Sequence, residues 1–380
     1  MRLELIAATT FGLEAVTKRE IQDLGYEILA TEDGKVIFEG DERAVVKANL
    51  WLRTADRIQI RLAEFMATES EELFQMIKGI PWEEWIPLDG KFIVDCATHK
   101  SKLNSVPKTQ AVSEKAVVER LKETYPVERF EKTGALFKIK VTVLKDRVTV
   151  TLDTTGASLH KRGYRKLNND APIKETLASA MILLSFWKND RILVDPCCGS
   201  GTIPIEAAMI GKNIAPGINR EFSAEAWPAI EENLWVEERK AAREAVRKNE
   251  VLRIYGSDID SESIKIAKVN AKEAGVENDI RFAVCDIAKV TTSKEYGVMV
   301  TNPPYGVRIG DERGIKGVYS AYEKFFTDNP TWSLFVITSD KDFEKKVMKR
   351  EADRRRKLYN GRLEVCYYQF HGEKRRNRDE

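Results

Sequence analysis

RILVDPCCGSGT, residues Arg191 to Thr202, decides how the carboxyl-terminal half is read. An apolar run ends on an acidic residue, Gly199 and Gly201 follow, and a helical pattern opens at Thr202. Glycine tolerates positive φ and lets backbone or ligand come close, so the stretch reads as strand, tight turn and helix. No Gly-Lys-Ser/Thr follows, so it is not a phosphate loop, and Pro204 stands where the dinucleotide fingerprint has its third glycine. Taken alone, the stretch is a weak signal, with a plain strand-turn-helix connection as the minority reading.

The same alternation continues downstream through RIYGSD, a helix over 261–274, IRFAVCD, GVMVTN, a helix near 317–326 and SLFVIT. It predicts a parallel, doubly wound sheet, with RRKLY and LEVCYYQF adding antiparallel strands around an Asn360-Gly361 turn. Ligands of such sheets bind beyond the carboxyl ends of the strands. Asp258, after RIYGS, is placed to accept the hydroxyls of a ribose, with helix capping as the competing reading. Asp260 and Ser261 read as caps. An extra helical segment, 210–249, breaks the usual spacing of ~20 residues between glycine turn and acid. Asp286, after IRFAVC, suits the exocyclic amine of an adenine or the cap of a short turn. In TNPPY, Pro303 and Pro304 cannot donate to a ladder, so they end the strand and aim Asn302 out of the sheet beside Tyr305.

Residues 1–65 follow a β-α-β-β-α-β rhythm that predicts a ferredoxin-like module, and 66–153 a second small α+β unit. Residues 154–172 read as a polar linker, leaving 173–380 as the third domain. Lys+Arg 62 against Asp+Glu 60 gives +2 over 380 residues, so any nucleic-acid binding rests on local patches. Candidates are Lys100, Lys102 and Lys108, the linker's Lys161, Arg162 and Arg165, and residues 354–357. Five cysteines without C-x-x-C spacing and three histidines indicate neither a disulfide framework nor a metal site. No signal-peptide pattern and no long apolar run are present, so a cytoplasmic protein without membrane contact is expected.

DPCCGSGT, GSDID and NPPY, in this order, resemble the motifs of class I S-adenosylmethionine-dependent methyltransferases that act on a planar amino nitrogen. SLHKRGYR, APIKETLA, GKNIAPGINREF and KLYNGRLE extend the resemblance, over essentially the whole chain, to the bacterial branch joining a THUMP RNA-binding domain to a guanine-N2 methyltransferase. The resemblance implies an α/β protein: a mostly parallel, seven-stranded Rossmann-like domain behind ferredoxin-like and THUMP modules. It implies S-adenosyl-L-methionine held by Asp195, Cys197, Gly199, Gly201, Thr202, Asp258, Ile259, Asp286, Ile287 and Asn302. Catalysis would fall to Asn302, Pro303, Pro304 and Tyr305, and Lys174 to Thr176 would border the methionine end of the cofactor. The implied substrate is a guanosine of 23S ribosomal RNA. Transfer RNA, an adenine N6, a protein glutamine amide and a non-catalytic RNA-binding or assembly role are the alternatives.

Overall fold

Short runs rich in β-branched residues, closed by turn residues, become strands in the computed structural model, which describes residues 1–167, 173–304, 312–361 and 363–374. In chain order come β1 (Leu3–Thr9), α1 (Glu14–Asp23), β2 (Ile28–Glu32), β3 (Lys35–Gly40), α2 (Glu42–Trp51) and β4 (Ala55–Met66). They are followed by α3 (Ser70–Lys78), β5 (Lys91–His99), α4 (Val106–Thr124), β6 (Leu136–Leu144) and β7 (Arg147–Asp153). The β2–β3 hairpin turns through Gly34 at φ +75°. Asp41 starts α2 by accepting from Ala44 N at 2.8 Å. Helix α4 begins at Val106, where Pro107 suits a first turn that needs no donor.

The expected boundary at 65/66 falls inside β4, a strand of 12 residues. Leu5 of β1 pairs with Ile60 on one side of it, and on the other β7 pairs from Gln59↔Asp153 to Met66↔Arg147. The ferredoxin-like and second α+β segments therefore share one seven-stranded sheet, ordered β2-β3-β1-β4-β7-β6-β5, with β5 and β6 parallel.

Two compact units divide the chain, and each contains a segment from the other's part of the sequence. Arg220–Ala241, expected in the carboxyl-terminal domain, belongs to the amino-terminal unit. The reason is aromatic packing. Trp227 stacks on Phe137 with centroids 4.9 Å apart and donates Nε1–H to Leu136 O at 3.0 Å. Phe222 stacks on Trp235 at 5.3 Å, and all four rings lie in one buried cluster. Conversely, Thr10–Val16 belongs to the carboxyl-terminal unit, where Leu13 and Val16 are buried with Met181, Leu358 and Tyr367. Gly12, at φ +91°, passes so close to β-strand backbone that a Cβ would lie 2.7 Å from Lys357 O.

The carboxyl-terminal unit continues with α5 (Glu175–Leu184), β8 (Leu193–Asp195) and α6 (Thr202–Gly211). After α7 (Glu232–Glu244) come β9 (Ile254–Asp258), α8 (Ser261–Glu273), β10 (Ile280–Val284) and β11 (Val298–Thr301). Helix α9 (Glu312–Asp328) is longer than the expected 317–326, and β12 (Ser333–Thr338), β13 (Arg354–Asn360) and β14 (Leu363–Phe370) complete the chain. The sheet order is β10-β9-β8-β11-β12-β14-β13, parallel from β10 to β12 and antiparallel beyond. Among the described residues no helix is long and apolar enough to cross a membrane.

Trp227→Ala should remove about 3 to 5 kcal/mol from the unfolding free energy of the full chain in urea, the cost of emptying a buried indole site. A loss under about 1 kcal/mol would mean that the 220–241 segment is not part of that core.

Candidate active site

Chain order reverses between β8 and its neighbour β11, so their carboxyl ends lie side by side where open α/β sheets bind ligands. Asp195 ends β8 and Thr301 ends β11. Thr301 Oγ1 donates to Asp195 Oδ1 at 2.8 Å, and Cys197 N reaches the same oxygen at 3.2 Å. From α9, the fully buried Tyr322 places its hydroxyl 3.1 Å from Thr301 Oγ1 and 3.6 Å from Cys197 Sγ. Burial raises the Asp195 carboxyl to about 7, against the lowering pull of the Thr301 and Cys197 hydrogen bonds.

The glycine loop is pinned to β9 by Cys198 N, which donates to Ser257 O at 2.9 Å, and by Gly199 N, which donates to Asp258 Oδ2 at 2.9 Å. Gly199 sits at φ +50°, and a Cβ there would meet nothing within 4 Å among the described residues. Gly201 faces inward at φ +84°, and a Cβ would stand 2.9 Å from that of Ala267, so a larger residue would push α6 off α8. Thr202 then opens α6. Burial pushes the thiols of Cys197 and Cys198 up, which suits packing and not nucleophilic attack.

Asp258 also accepts from Asp260 N at 3.0 Å through Oδ1. Each carboxylate oxygen keeps a second lone pair, so this backbone role is compatible with accepting from a ligand. Asp260 caps α8, accepting from Glu262 N at 3.2 Å and Ser263 N at 3.0 Å, and the Ser263 bonds hold its carboxyl below the ordinary range. Ile259, between them, is 71% exposed. Asp286 caps the short turn Ile287–Lys289 through Ala288 N at 2.9 Å, and Ile287 is buried. Asn302, Pro303 and Pro304 follow β11 directly. The Asn302 side-chain oxygen is buried and has no hydrogen-bond partner among the described residues, a costly state unless something else donates to it. Tyr305 lies outside the described residues.

The expected cationic residues divide. Lys100, Lys102 and Lys108, on the segment after β5, and Lys161 are exposed. Arg162 and Arg165 instead turn towards buried acids. Arg162 is 3% exposed, 3.6 Å from Glu206 Oε1, and that carboxylate also accepts from Tyr164 OH at 2.9 Å and from Ser179 Oγ. Arg165 donates to Thr202 Oγ1 at 2.8 Å and Ile173 O at 2.9 Å, and its Nε stands 3.3 Å from Glu175 Oε1. Both acids are buried, Glu175 at the start of α5 and Glu206 within α6, and a buried charge requires a partner. Burial lifts the Glu175 carboxyl above its ordinary range, with the Arg165 charge opposing. The sequence signal for this cluster is a lone Glu inside TIPIEAAMIG, and Thr301 and Tyr322 carry no signal beyond their place in an apolar strand and an amphipathic helix.

A cavity of about 870 Å³, lined by Arg191, Arg253, Tyr296 and Ser333 among others, lies at the opposite, amino-terminal edge of the sheet and takes no part in this arrangement. Among the described residues no cluster of His, Cys, Asp or Glu is arranged to hold a metal ion.

Three family models match in tandem: the RlmL ferredoxin-like domain at residues 4–59, the THUMP domain at 67–153 and the RMKL-like methyltransferase domain at 162–369. The chain belongs to the RMKL-like methyltransferases. YpsC of Bacillus subtilis, a candidate RNA methyltransferase, is 46% identical over 96% of this chain and 95% of its own length. The ribosomal RNA large subunit methyltransferase K/L of Psychromonas ingrahamii is 34% identical over 95% of this chain, which spans 49% of that longer protein. A Listeria monocytogenes protein named as an N6-adenine-specific DNA methylase superposes with TM-score 0.94 at 47% identity, covering 98% of this chain and 97% of its own. SMU.472, crystallised in complex with SAH, superposes with TM-score 0.93 at 43% identity over 99% of each chain. The seven-stranded sheet of this RMKL-like methyltransferase unit thus has the Rossmann-like order expected, with Asp195, the glycine loop, Asp258 and Asn302 gathered along one edge.

The Asp195 carboxyl, raised from 3.8 to about 7, keeps a proton in the native state that the unfolded chain has already released. The native state then binds more protons, so the stability due to this group is greatest below the unfolded value and falls as pH rises towards 7. Asp195→Asn should abolish this component. Denaturant midpoints of wild type relative to variant should decline from about pH 4 to about pH 7; parallel curves would show a carboxylate ionised throughout.

Proposed function

We propose that the protein is an S-adenosylmethionine-dependent RNA methyltransferase that modifies the exocyclic N2 of a guanosine in 23S ribosomal RNA. The observation that carries this reading is the buried Asn302 oxygen, without a hydrogen-bond partner among the described residues and set on a proline-stiffened loop one residue beyond the Thr301–Asp195 bridge.

The residues present fit the cofactor. Among the described residues, Gly199 leaves an open corner in the loop formed by Asp195, Cys197, Gly199, Gly201 and Thr202. Asp258 retains lone pairs for ribose hydroxyls, the exposed Ile259 offers an apolar surface for an adenine, and Asp286 with Ile287 would meet its amine edge. When bound, the cofactor supplies an electrophilic methyl group on a sulfonium.

The amino group of a purine is a weak nucleophile because its lone pair is delocalised into the ring. Asn302 Oδ1 and the Pro303 carbonyl would accept its two N–H bonds, pull the nitrogen towards tetrahedral geometry and point the lone pair out of the ring plane. Tyr305 would stack on the base, a contact worth roughly 1 to 3 kcal/mol. Alignment of this kind lowers a barrier by about 7 to 11 kcal/mol, so no strong base is required. A base within a duplex cannot reach such a pocket and must be extruded or lie in a loop. The THUMP match at 67–153 and the relatives named for ribosomal RNA support RNA as the substrate, with Lys100, Lys102 and Lys161 exposed at the surface where phosphates would bind.

The test is to incubate the full chain with methyl-labelled S-adenosylmethionine and separated ribosomal RNA, transfer RNA and DNA, then digest and identify the labelled nucleoside. N2-methylguanosine in 23S RNA is the expected product, and Asn302→Ala should lower its formation at least ~100-fold. Label on adenosine, or in transfer RNA or DNA, would overturn the assignment.

A further inference from the structure

We infer that Arg165 is a positioning residue for the glycine loop, holding Thr202 where the cofactor pocket needs it. The inference rests on the reading that this loop binds S-adenosylmethionine. Gly201, the residue before α6, has no side chain with which to cap that helix. Arg165 meets the helix start instead, its guanidinium donating to Thr202 Oγ1 at 2.8 Å and to Ile173 O at 2.9 Å beside Glu175. A second route joins the same two segments. The buried Asn270 of α8 donates to Ser200 O at 3.2 Å and to Leu167 O at 3.3 Å. Residues 165–167 therefore fix 200–202 both directly and through α8, and the direct part is performed by one guanidinium nitrogen, Nη2, whose two N–H bonds lie in the fixed plane of the group and serve Thr202 and Ile173 together, a geometry a flexible ammonium does not hold.

A purely electrostatic role, neutralising Glu175, makes a different prediction, because Arg165→Lys keeps the charge and loses the fork. Affinity for S-adenosylhomocysteine, measured by titration calorimetry on the full chain, separates the two. Arg165→Lys and Thr202→Val should each weaken binding about tenfold, the worth of a hydrogen bond to a charged group. The double variant should lose little more than the worse single one, since both remove the same bond. In methyl transfer by Arg165→Lys the loss should appear in KM for S-adenosylmethionine, with kcat within about twofold of wild type. Wild-type affinity in Arg165→Lys, or strictly additive losses in the double variant, would overturn the positioning role. Should Arg165→Lys fail to fold, Thr202→Val alone carries the test, because it removes the bond while leaving Arg165 and its charge beside Glu175 in place: wild-type affinity there would overturn the positioning role. A wild-type chain that binds no S-adenosylhomocysteine would remove the cofactor reading itself.

Discussion

The hydrogen bond from Thr301 Oγ1 to Asp195 Oδ1 joins the strands on either side of the reversal in chain order. One strand leads into the glycine loop and the other into the Asn-Pro-Pro turn, so this bond sets the distance between the loop that would hold a cofactor and the amide that would hold a base. Its strength comes from burial: a carboxyl removed from water is costly unless its oxygens are satisfied, and Cys197 N and Thr301 satisfy one of them. Tyr322 adds a contact from α9, bringing the helix that follows the Asn-Pro-Pro loop into the same network. The cost of hiding Asp195 is thus offset by fixing three elements at once.

A similar logic governs the segment between Leu159 and Glu175. Two buried acids, Glu175 at the start of α5 and Glu206 within α6, draw Arg162 and Arg165 inward, so these two residues of the polar linker pack against a core. Arg220–Ala241 and Thr10–Val16 each pack with the unit opposite to their place in sequence. A cut near residue 160 would therefore strip buried aromatic rings from one core and Leu13 and Val16 from the other. The two units are separate in packing but not in chain.

Most elements were legible in the sequence because their hydrophobic periods were regular and their ends carried Gly, Pro, Asp or Asn. The strand-loop order of Asp195, Gly199, Asp258, Asp286 and Asn302 was legible for the same reason: carboxyl ends of parallel strands are recognisable as apolar runs ending in polar turns. Three features were not. β4 alternates as a strand should, but nothing in it states that it serves two neighbours. Arg162 and Arg165 look like any basic patch until the acids facing them, Glu206 and Glu175, are brought near by tertiary packing. The 220–241 segment carries its signal in Phe222, Trp227 and Trp235, which show that it is buried somewhere but not against which core.

The central claim is a division of labour along the sheet edge, with Asp258 holding the cofactor and Asn302 holding the base. Calorimetric titration of S-adenosylhomocysteine into Asp258→Ala and Asn302→Ala tests it most directly. The account predicts a loss of about tenfold or more for the first, the worth of charge-assisted hydrogen bonds to a ribose, and affinity within a few fold of wild type for the second. Equal losses in both, or an undisturbed Asp258→Ala, would contradict it.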